Sequence, residues 1–377
     1  MPSTAPITST FKTMHINTEP TWRGGEQQTL YLVEGLAKRG YPVLLCAQKG
    51  SPLVDRARAK GIETVGLRMR GEIDPMAAWR VAGEIRRFRP ELLHYHTSHA
   101  HGLGAMAVRL VGRGRPHTLL TRRVDFSIYR HSFFGLNHLK YKQVDRIVAI
   151  SKAVEQVLRS DGIAAERIDR VASGVDPERF DSAARADLHS EFSLPPHTKL
   201  IGNTAFFADH KGQRYLIEAA IDVLAAYPDC AIFLIGDGSL RRPLMSLAKE
   251  LGVADRVLFP GFRTDIPAIL KALDIYVMPS HAEGLGTAIL DALCCSRPVI
   301  AADAGGIPEI IQHEHSGLLV PPRDSKALSK AILRLLESPE EALGYGAAGL
   351  HIVQQNYTVD KMVEGNLDVY RRLLGYS

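Results

Sequence analysis

The sequence predicts an α/β protein built from two doubly wound parallel-sheet domains, and three observations carry that expectation. At 377 residues the chain is long for a single core, and the length favours two domains. Short continuous apolar runs alternate with segments of helical periodicity, the pattern of buried parallel strands and their covering helices. The alternation breaks once, around Val171–Phe180 at Ser-Gly-Val-Asp-Pro, and then restarts. The expected boundaries are therefore 1–175 and 176–358, with a last helix at 359–377 that could cap the second domain or cross back to the first.

In the first half, 11–17 reads as a strand that leads through a loop containing Gly24 and Gly25 into a helix over 27–39, stopped by Gly40. The run at 43–47 is a strand. A helix at 78–88 carries basic residues outward and ends before Pro90, and 92–95 follows as a strand. Another strand ends near Arg122 and Arg123, and 146–150 precedes a helix at 152–160. In the second half, strands are expected at 199–203, 231–235, 257–259, 275–278 and 298–301. Helices are expected at 213–226, 244–251, 266–273 and from Gly286 to about 293. In open parallel sheets ligands bind at the carboxyl ends of strands. Two such sheets facing each other would bring two sets of loops over one cleft.

Composition narrows the function classes. The chain is 45% hydrophobic and 23% charged, ordinary for a globular protein. No apolar run reaches the roughly 20 residues that span a bilayer, and the Ser/Thr/Pro-rich start does not resemble a signal peptide, so a cytoplasmic location is expected. Cys46, Cys230, Cys294 and Cys295 form no CxxC pair and lie in apolar stretches, as buried thiols do. Residues 1–190 hold 29 Lys/Arg against 19 Asp/Glu, whereas residues 191–377 hold 17 against 22. The basic first half suits an anionic acceptor or an acidic membrane surface, or is a solvated face without a partner. Nucleic acid is not expected, because the basic residues lack aromatic interleaving.

The densest chemical signal is the stretch PSHAEGLGTAILDALCCSRPVIAADAGGIPE, which begins at Pro279. Glu283 stands before Gly284-Leu285-Gly286-Thr287 at a helix start, where backbone amides and the helix dipole favour an anion. Asp291 lies eight residues later. If both carboxylates were helical they would sit about 80° apart around the axis and about 12 Å apart along it, addressing two parts of one ligand. A capping Glu and a surface Asp would leave the same spacing.

This stretch resembles the E-x7-E signature of family-4 retaining glycosyltransferases of the GT-B fold. The likeness continues in Ala304-Gly305-Gly306-Ile307-Pro308-Glu309 and Gly317-Leu318-Leu319-Val320-Pro321, and covers nearly the whole chain. In the first half it includes Gly24-Gly25, the strand end His94-Tyr95-His96, Val148-Ala149-Ile150-Ser151 and the hinge Ser173-Gly174-Val175-Asp176, where the family usually has Asn for Ser173. The resemblance implies an acceptor-side first domain and a second domain that binds a nucleotide diphosphate sugar, with UDP as the commonest nucleotide.

Carried over residue by residue, it implies that Glu283 contacts sugar hydroxyls, that Asp291 (Glu in most of the family) holds ribose hydroxyls, and that Lys211 neutralises the diphosphate. The family pairs that Lys with an Arg, and here Phe206 occupies the Arg position in Asn203–Gly212. Losing one preorganised donor to a leaving diphosphate can cost about 3 kcal/mol, so Arg263 or a protonated His210 is a candidate to compensate. His96 matches the histidine that the family places near the donor sugar and the incoming hydroxyl. Gly24 and Gly25 would bring amides to the donor phosphate, and Arg122 and Arg123 would suit an anionic acceptor, although surface arginines read the same way.

Read without the family, His94, His96, His99 and His101 suggest a metal site, but no carboxylate or Cys follows at ligand spacing. No Asp-x-Asp occurs in the chain, so no metal and no other cofactor is expected. The expected activity is metal-independent transfer of a sugar to a glycan or lipid-linked acceptor, in polysaccharide or lipopolysaccharide assembly at the inner face of the membrane. Alternatives are a nucleotide-sugar epimerase of the same fold and a non-catalytic nucleotide-sugar-binding subunit. A nicotinamide oxidoreductase is disfavoured, because no Gly-x-Gly-x-x-Gly follows the first strand.

Overall fold

A computed structural model describes residues 10–129 and 136–376, and side chains throughout except at 136–139. Contacts divide the chain into two compact units, Met1–Gly174 with Val359–Ser377, and Val175–Thr358. The C-terminal helix Val359–Leu374 thus belongs to the first unit.

The first unit holds seven strands: β1 (Thr13–Asn17), β2 (Val43–Gln48), β3 (Glu63–Leu67), β4 (Leu92–Tyr95), β5 (His117–Arg122), β6 (Arg146–Ala149) and β7 (Ile168–Arg170). They pair in the order β3-β2-β1-β4-β5-β6-β7, all parallel. The second unit repeats the plan with six: β8 (Lys199–Thr204), β9 (Cys230–Ile235), β10 (Val257–Gly261), β11 (Ile275–Met278), β12 (Val299–Ala302) and β13 (Leu318–Val320). Their order is β10-β9-β8-β11-β12-β13, again parallel. Each sheet reverses its winding next to its first strand, between β1 and β4 and between β8 and β11. There the two neighbouring loops leave in opposite directions and open a crevice at the strands' carboxyl ends.

Burial of apolar side chains holds each unit together. In the second, Ile201, Ile232, Leu234, Val277 and Ile300 pack under Leu216, Ile217 and Val223 of the helix Gln213–Ala226. In the first, Leu32, Val33 and Leu36 of the helix Gly24–Lys38 meet Val363, Leu367 and Tyr370 of the C-terminal helix. At Gly35 a Cβ would fall 2.5 Å from Val363 Cγ2, so only glycine allows these helices to approach so closely. All four cysteines are free and buried, and burial pushes their thiols up. Among the described residues no helix is long and apolar enough to cross a membrane.

Most element boundaries lie within a residue or three of expectation. The first helix is an exception: it starts at Gly24, so Gly24 and Gly25 form its first turn and are not a preceding loop. Glu26 at its third position accepts from the Arg23 amide, 3.1 Å, and fixes that start.

Candidate active site

The second unit builds its site where β8 and β11 diverge. The segment after β8 ends in a short 3₁₀ turn, Asp209–Lys211, and Gly212 then caps the helix Gln213–Ala226 with φ +67°. A Cβ on Gly212 would lie 2.1 Å from the Pro279 carbonyl, so this glycine lets the β8 loop press against the loop after β11. The His281 amide donates to the His210 carbonyl, 2.9 Å, and ties the loops further. Across that seam the Lys211 ammonium lies 2.6 Å from a Glu283 carboxylate oxygen, and both side chains are largely shielded from solvent, 22% and 10% exposed.

Glu283 lies in the loop and not in the helix, which runs from Thr287 to Cys294, so its angular relation to Asp291 differs from the fully helical expectation. Gly286 caps the helix with φ +90° and Leu285 is buried. The first amides of a helix lack an intrahelical partner and suit an anion; here the Ile289 amide donates to the Gly286 carbonyl at 2.9 Å, which leaves the Thr287 and Ala288 positions for that role. The Gly306 amide donates to the Glu283 carbonyl, 3.0 Å, and anchors the β11 loop to the one after β12.

Asp291 makes no hydrogen bond or ion pair among the described residues, and burial pushes its carboxyl up to about 6. An acceptor left without a donor in a shielded place suits a ligand hydroxyl. Phe206, in the arginine position of the resembling family, is half-exposed at 46%. Arg263 does not face an open site: its guanidinium pairs with both oxygens of Asp265, 2.8 and 2.7 Å, and with Glu191. Two carboxylates already neutralise it, so in this structure it is not a free cation beside the site.

The first unit gathers a different set. Register pairs His15 with His94 between β1 and β4 and aligns His94 with Leu119 of β5. Because side chains alternate along a strand, Thr13, His15 and Asn17 share one sheet face with His94 and His96, and with Thr121 and Arg123. His15 Nδ1 lies 2.9 Å from His96 Nε2, and Arg123 Nη2 lies 3.4 Å from His96 Nδ1. His94 bonds the Tyr370 hydroxyl at 2.6 Å and Thr121 Oγ1 at 2.7 Å. Desolvation lowers all three histidines and lowers Arg123 to about 10. Arg123 forms no ion pair with a carboxylate among the described residues, although the Glu26 charge favours its protonated form; its Cδ lies 3.7 Å from where a Cβ on Gly25 would be, beside the first turn of the helix Gly24–Lys38.

The four histidines of the 94–101 segment do not converge. His101 is buried and meets the Lys140 carbonyl at 3.1 Å, while His99 is exposed. A three-histidine group does form with His15, its ligand atoms within 4.8 Å of one another. Each of its six ring nitrogens already has a hydrogen-bond partner, however, and Arg123 sets a positive charge against it. Arg122 turns inward, bonding the Tyr141 hydroxyl at 2.8 Å and the Phe126 carbonyl, so it is an interior residue and not the surface arginine the sequence also allowed. Sequence reading missed His15, Glu26, Asn17 and Tyr370. The signal was present: Thr-x-His-x-Asn in a strand otherwise read as apolar leaves three polar groups on one buried face.

Residues 185–350 match the family described as glycosyl transferases group 1, and residues 22–179 match Glycosyltransferase Family 4. A 2-deoxystreptamine glucosyltransferase of Streptomyces kanamyceticus is 28% identical over 362 residues, which are 89% of this chain and 93% of that protein. A GDP-mannose-dependent alpha-(1-6)-phosphatidylinositol monomannoside mannosyltransferase of Mycobacterium tuberculosis is 32% identical over 218 residues, 55% of this chain and 56% of that protein. Among solved structures, Anabaena HepE in complex with UDP and glucose shares the fold with a TM-score of 0.84 at 21% identity, covering 96% of this chain and all of that one.

Proposed function

The chain belongs to the glycosyltransferases of the group 1 and family 4 type, and on that premise we propose that it transfers a sugar from a nucleotide diphosphate donor with retention of anomeric configuration and without a divalent ion. The observation that carries this reading is the Lys211–Glu283 pair beside the amino end of the helix Thr287–Cys294. An ammonium and the amides of the helix start together supply the positive charge that a departing diphosphate needs. The adjacent carboxylate faces the hydroxyls of the migrating sugar, and Asp291 accepts from the ribose hydroxyls. The UDP bound to HepE supports a uridine nucleotide.

In this reading the bond between the anomeric carbon and the phosphate oxygen breaks with its electrons passing to phosphate. The acceptor hydroxyl oxygen then bonds to that carbon from the same face, and its proton goes to the departing phosphate oxygen. The products are a glycoside and a nucleoside diphosphate. His96 meets a substrate hydroxyl, and Arg123 with the amides of Gly24 and Gly25 supplies positive potential on the first unit. The acceptor is a glycan or a lipid-linked sugar. Support for a lipid-linked one comes from exposed Ile73, Met76 and Trp79, at 79%, 59% and 63%, next to exposed Arg68, Arg70 and Arg80. Such a surface would rest on an anionic bilayer in the interfacial manner, placing the enzyme at the inner membrane face where lipopolysaccharide or other surface polysaccharide is assembled.

Incubation with UDP-sugars and an acceptor panel, followed by the anomeric proton coupling of the product, tests the reading. A product with the donor's configuration supports it, and inversion contradicts retention. Conversion of the donor without acceptor would indicate an epimerase, and donor binding with no turnover would indicate a binding subunit.

A further inference from the structure

The polar chain on the first sheet reaches beyond His96, and its hydrogen bonds have a single consistent direction. Arg123 stands 3.4 Å from His96 Nδ1. A guanidinium donates and never accepts, so His96 Nδ1 presents its lone pair and the ring proton sits on Nε2. That N–H points at His15 Nδ1, 2.9 Å away, which must therefore accept. His15 is then protonated at Nε2 and donates to Thr13 Oγ1, 3.2 Å away.

Among the described residues no other hydrogen bond to the pair disturbs this order. The His94 ring lies 4.2 Å from that of His96, centroid to centroid, but both its nitrogens are taken by Tyr370 and Thr121. His15 and His96 are buried and held neutral, so neither ring carries a second proton at ordinary pH. The alternative tautomer of His96 would set an N–H against the Arg123 guanidinium; His15 and the Thr13 hydroxyl could reverse with it, so the Arg123 contact fixes the order and His15 Nδ1 receives the resulting N–H.

We propose that His15 is a positioning residue that, together with Arg123, holds His96 in the Nε2–H tautomer, so that His96 offers its substrate a hydrogen-bond acceptor at Nδ1 and no proton. This rests on the reading of His96 as a substrate contact. A hydroxyl that reaches His96 donates to Nδ1 in place of the long Arg123 contact, and the nearby guanidinium charge still disfavours an N–H there. His96 is then a fixed lone pair that orients an O–H, while the leaving phosphate remains the proton acceptor. His15 touches no substrate and acts only through His96.

Imidazole nitrogen NMR on histidine-labelled protein, with His96 assigned by its absence in His96→Gln, reads the tautomer directly. The expected result is a protonated Nε2 and a bare Nδ1 in the unaltered protein, and a proton on Nδ1 overturns the proposal. Kinetics supply the second arm. His15→Leu removes the acceptor, and about a tenfold loss in kcat with donor KM within about twofold is expected. His15→Asn can set its amide oxygen in place of Nδ1 and should recover kcat to within about threefold. Equal losses in both variants, or none in His15→Leu, overturn the positioning role. Should His15→Leu fail to fold, the tautomer of the unaltered protein and the Asn variant decide. A His96→Ala variant that transfers normally removes His96 as a substrate contact, and the tautomer measurement stands apart from that outcome.

Discussion

The Lys211 ammonium and the Glu283 carboxylate meet at 2.6 Å at the point where β8 and β11 part. They are 72 residues apart in sequence. Each sits at the carboxyl end of its strand, and Gly212 allows the two loops to touch. Without a ligand each satisfies the other in a shielded place, where an unpaired charge would be costly. A diphosphate would draw the ammonium, and a sugar hydroxyl would take up the carboxylate.

Removing either partner therefore harms two things at once. Glu283→Gln should lower transfer by at least about tenfold. Lys211→Ala should lower it by about a hundredfold, and leaves Glu283 shielded without its cation. The double variant should lose far less than the product of the single losses, because the pair acts as a unit. Steady-state kinetics and thermal melts on the three variants check this.

Asp291 gives a pH-dependent prediction. Burial lifts its carboxyl to about 6 from an ordinary 3.8, so the folded state holds the proton more tightly than the unfolded chain. Stability then falls as pH rises from about 4 to about 6 and stays lower above that window. Asp291→Asn should raise the melting temperature at pH 7 by about 2 °C or more and erase this dependence. The same variant should weaken the donor, and the donor KM of the unaltered enzyme should improve as pH rises through about 6.

Arg263 separates stability from chemistry. Its guanidinium is held by Asp265 and Glu191, and both the hydrogen bonds and the charges of those carboxylates keep it protonated. Arg263→Ala should leave kcat within about twofold and lower the melting temperature. A large loss in kcat with an unchanged melt would show that the arginine leaves its carboxylates for the diphosphate.

The doubly wound fold was legible because its signals are local. Parallel strands buried on both faces read as apolar runs, and the helix Lys152–Ser160 shows its full span in its own periodicity. Lys211, Glu283 and Asp291 could be singled out in the sequence because they lie in, or one turn after, loops with recognisable glycines. The partners of Arg263 and Arg122 were not legible, because side-chain direction depends on residues far along the chain. Glu191 and Tyr141 occupy those guanidiniums, and no spacing rule reveals that. His15 escaped notice because it is a single polar letter in a short strand. Its meaning comes only from the register that sets it opposite His94.

Exposed Ile73, Met76 and Trp79 beside three arginines predict binding to vesicles that contain anionic lipid. Trp79→Ser should reduce sedimentation with such vesicles several-fold, about 1 kcal/mol or more for a lost interfacial aromatic, without changing transfer to a soluble acceptor. Binding that is indifferent to lipid charge or to Trp79 would remove this surface from the account.

Transfer in excess EDTA should match transfer in added magnesium, because fixed charges replace a metal in this reading. Loss of activity on chelation, with recovery on adding a divalent ion, would contradict it.

The most direct measurement is calorimetric titration of UDP and of uridine into the unaltered enzyme and Lys211→Ala. The ammonium is held to bind the diphosphate and nothing else of the nucleotide. UDP affinity should therefore fall at least about tenfold in the variant, about 1.4 kcal/mol, while uridine binds both proteins equally. Equal UDP affinity in the two proteins, or a parallel loss for uridine, would contradict the account.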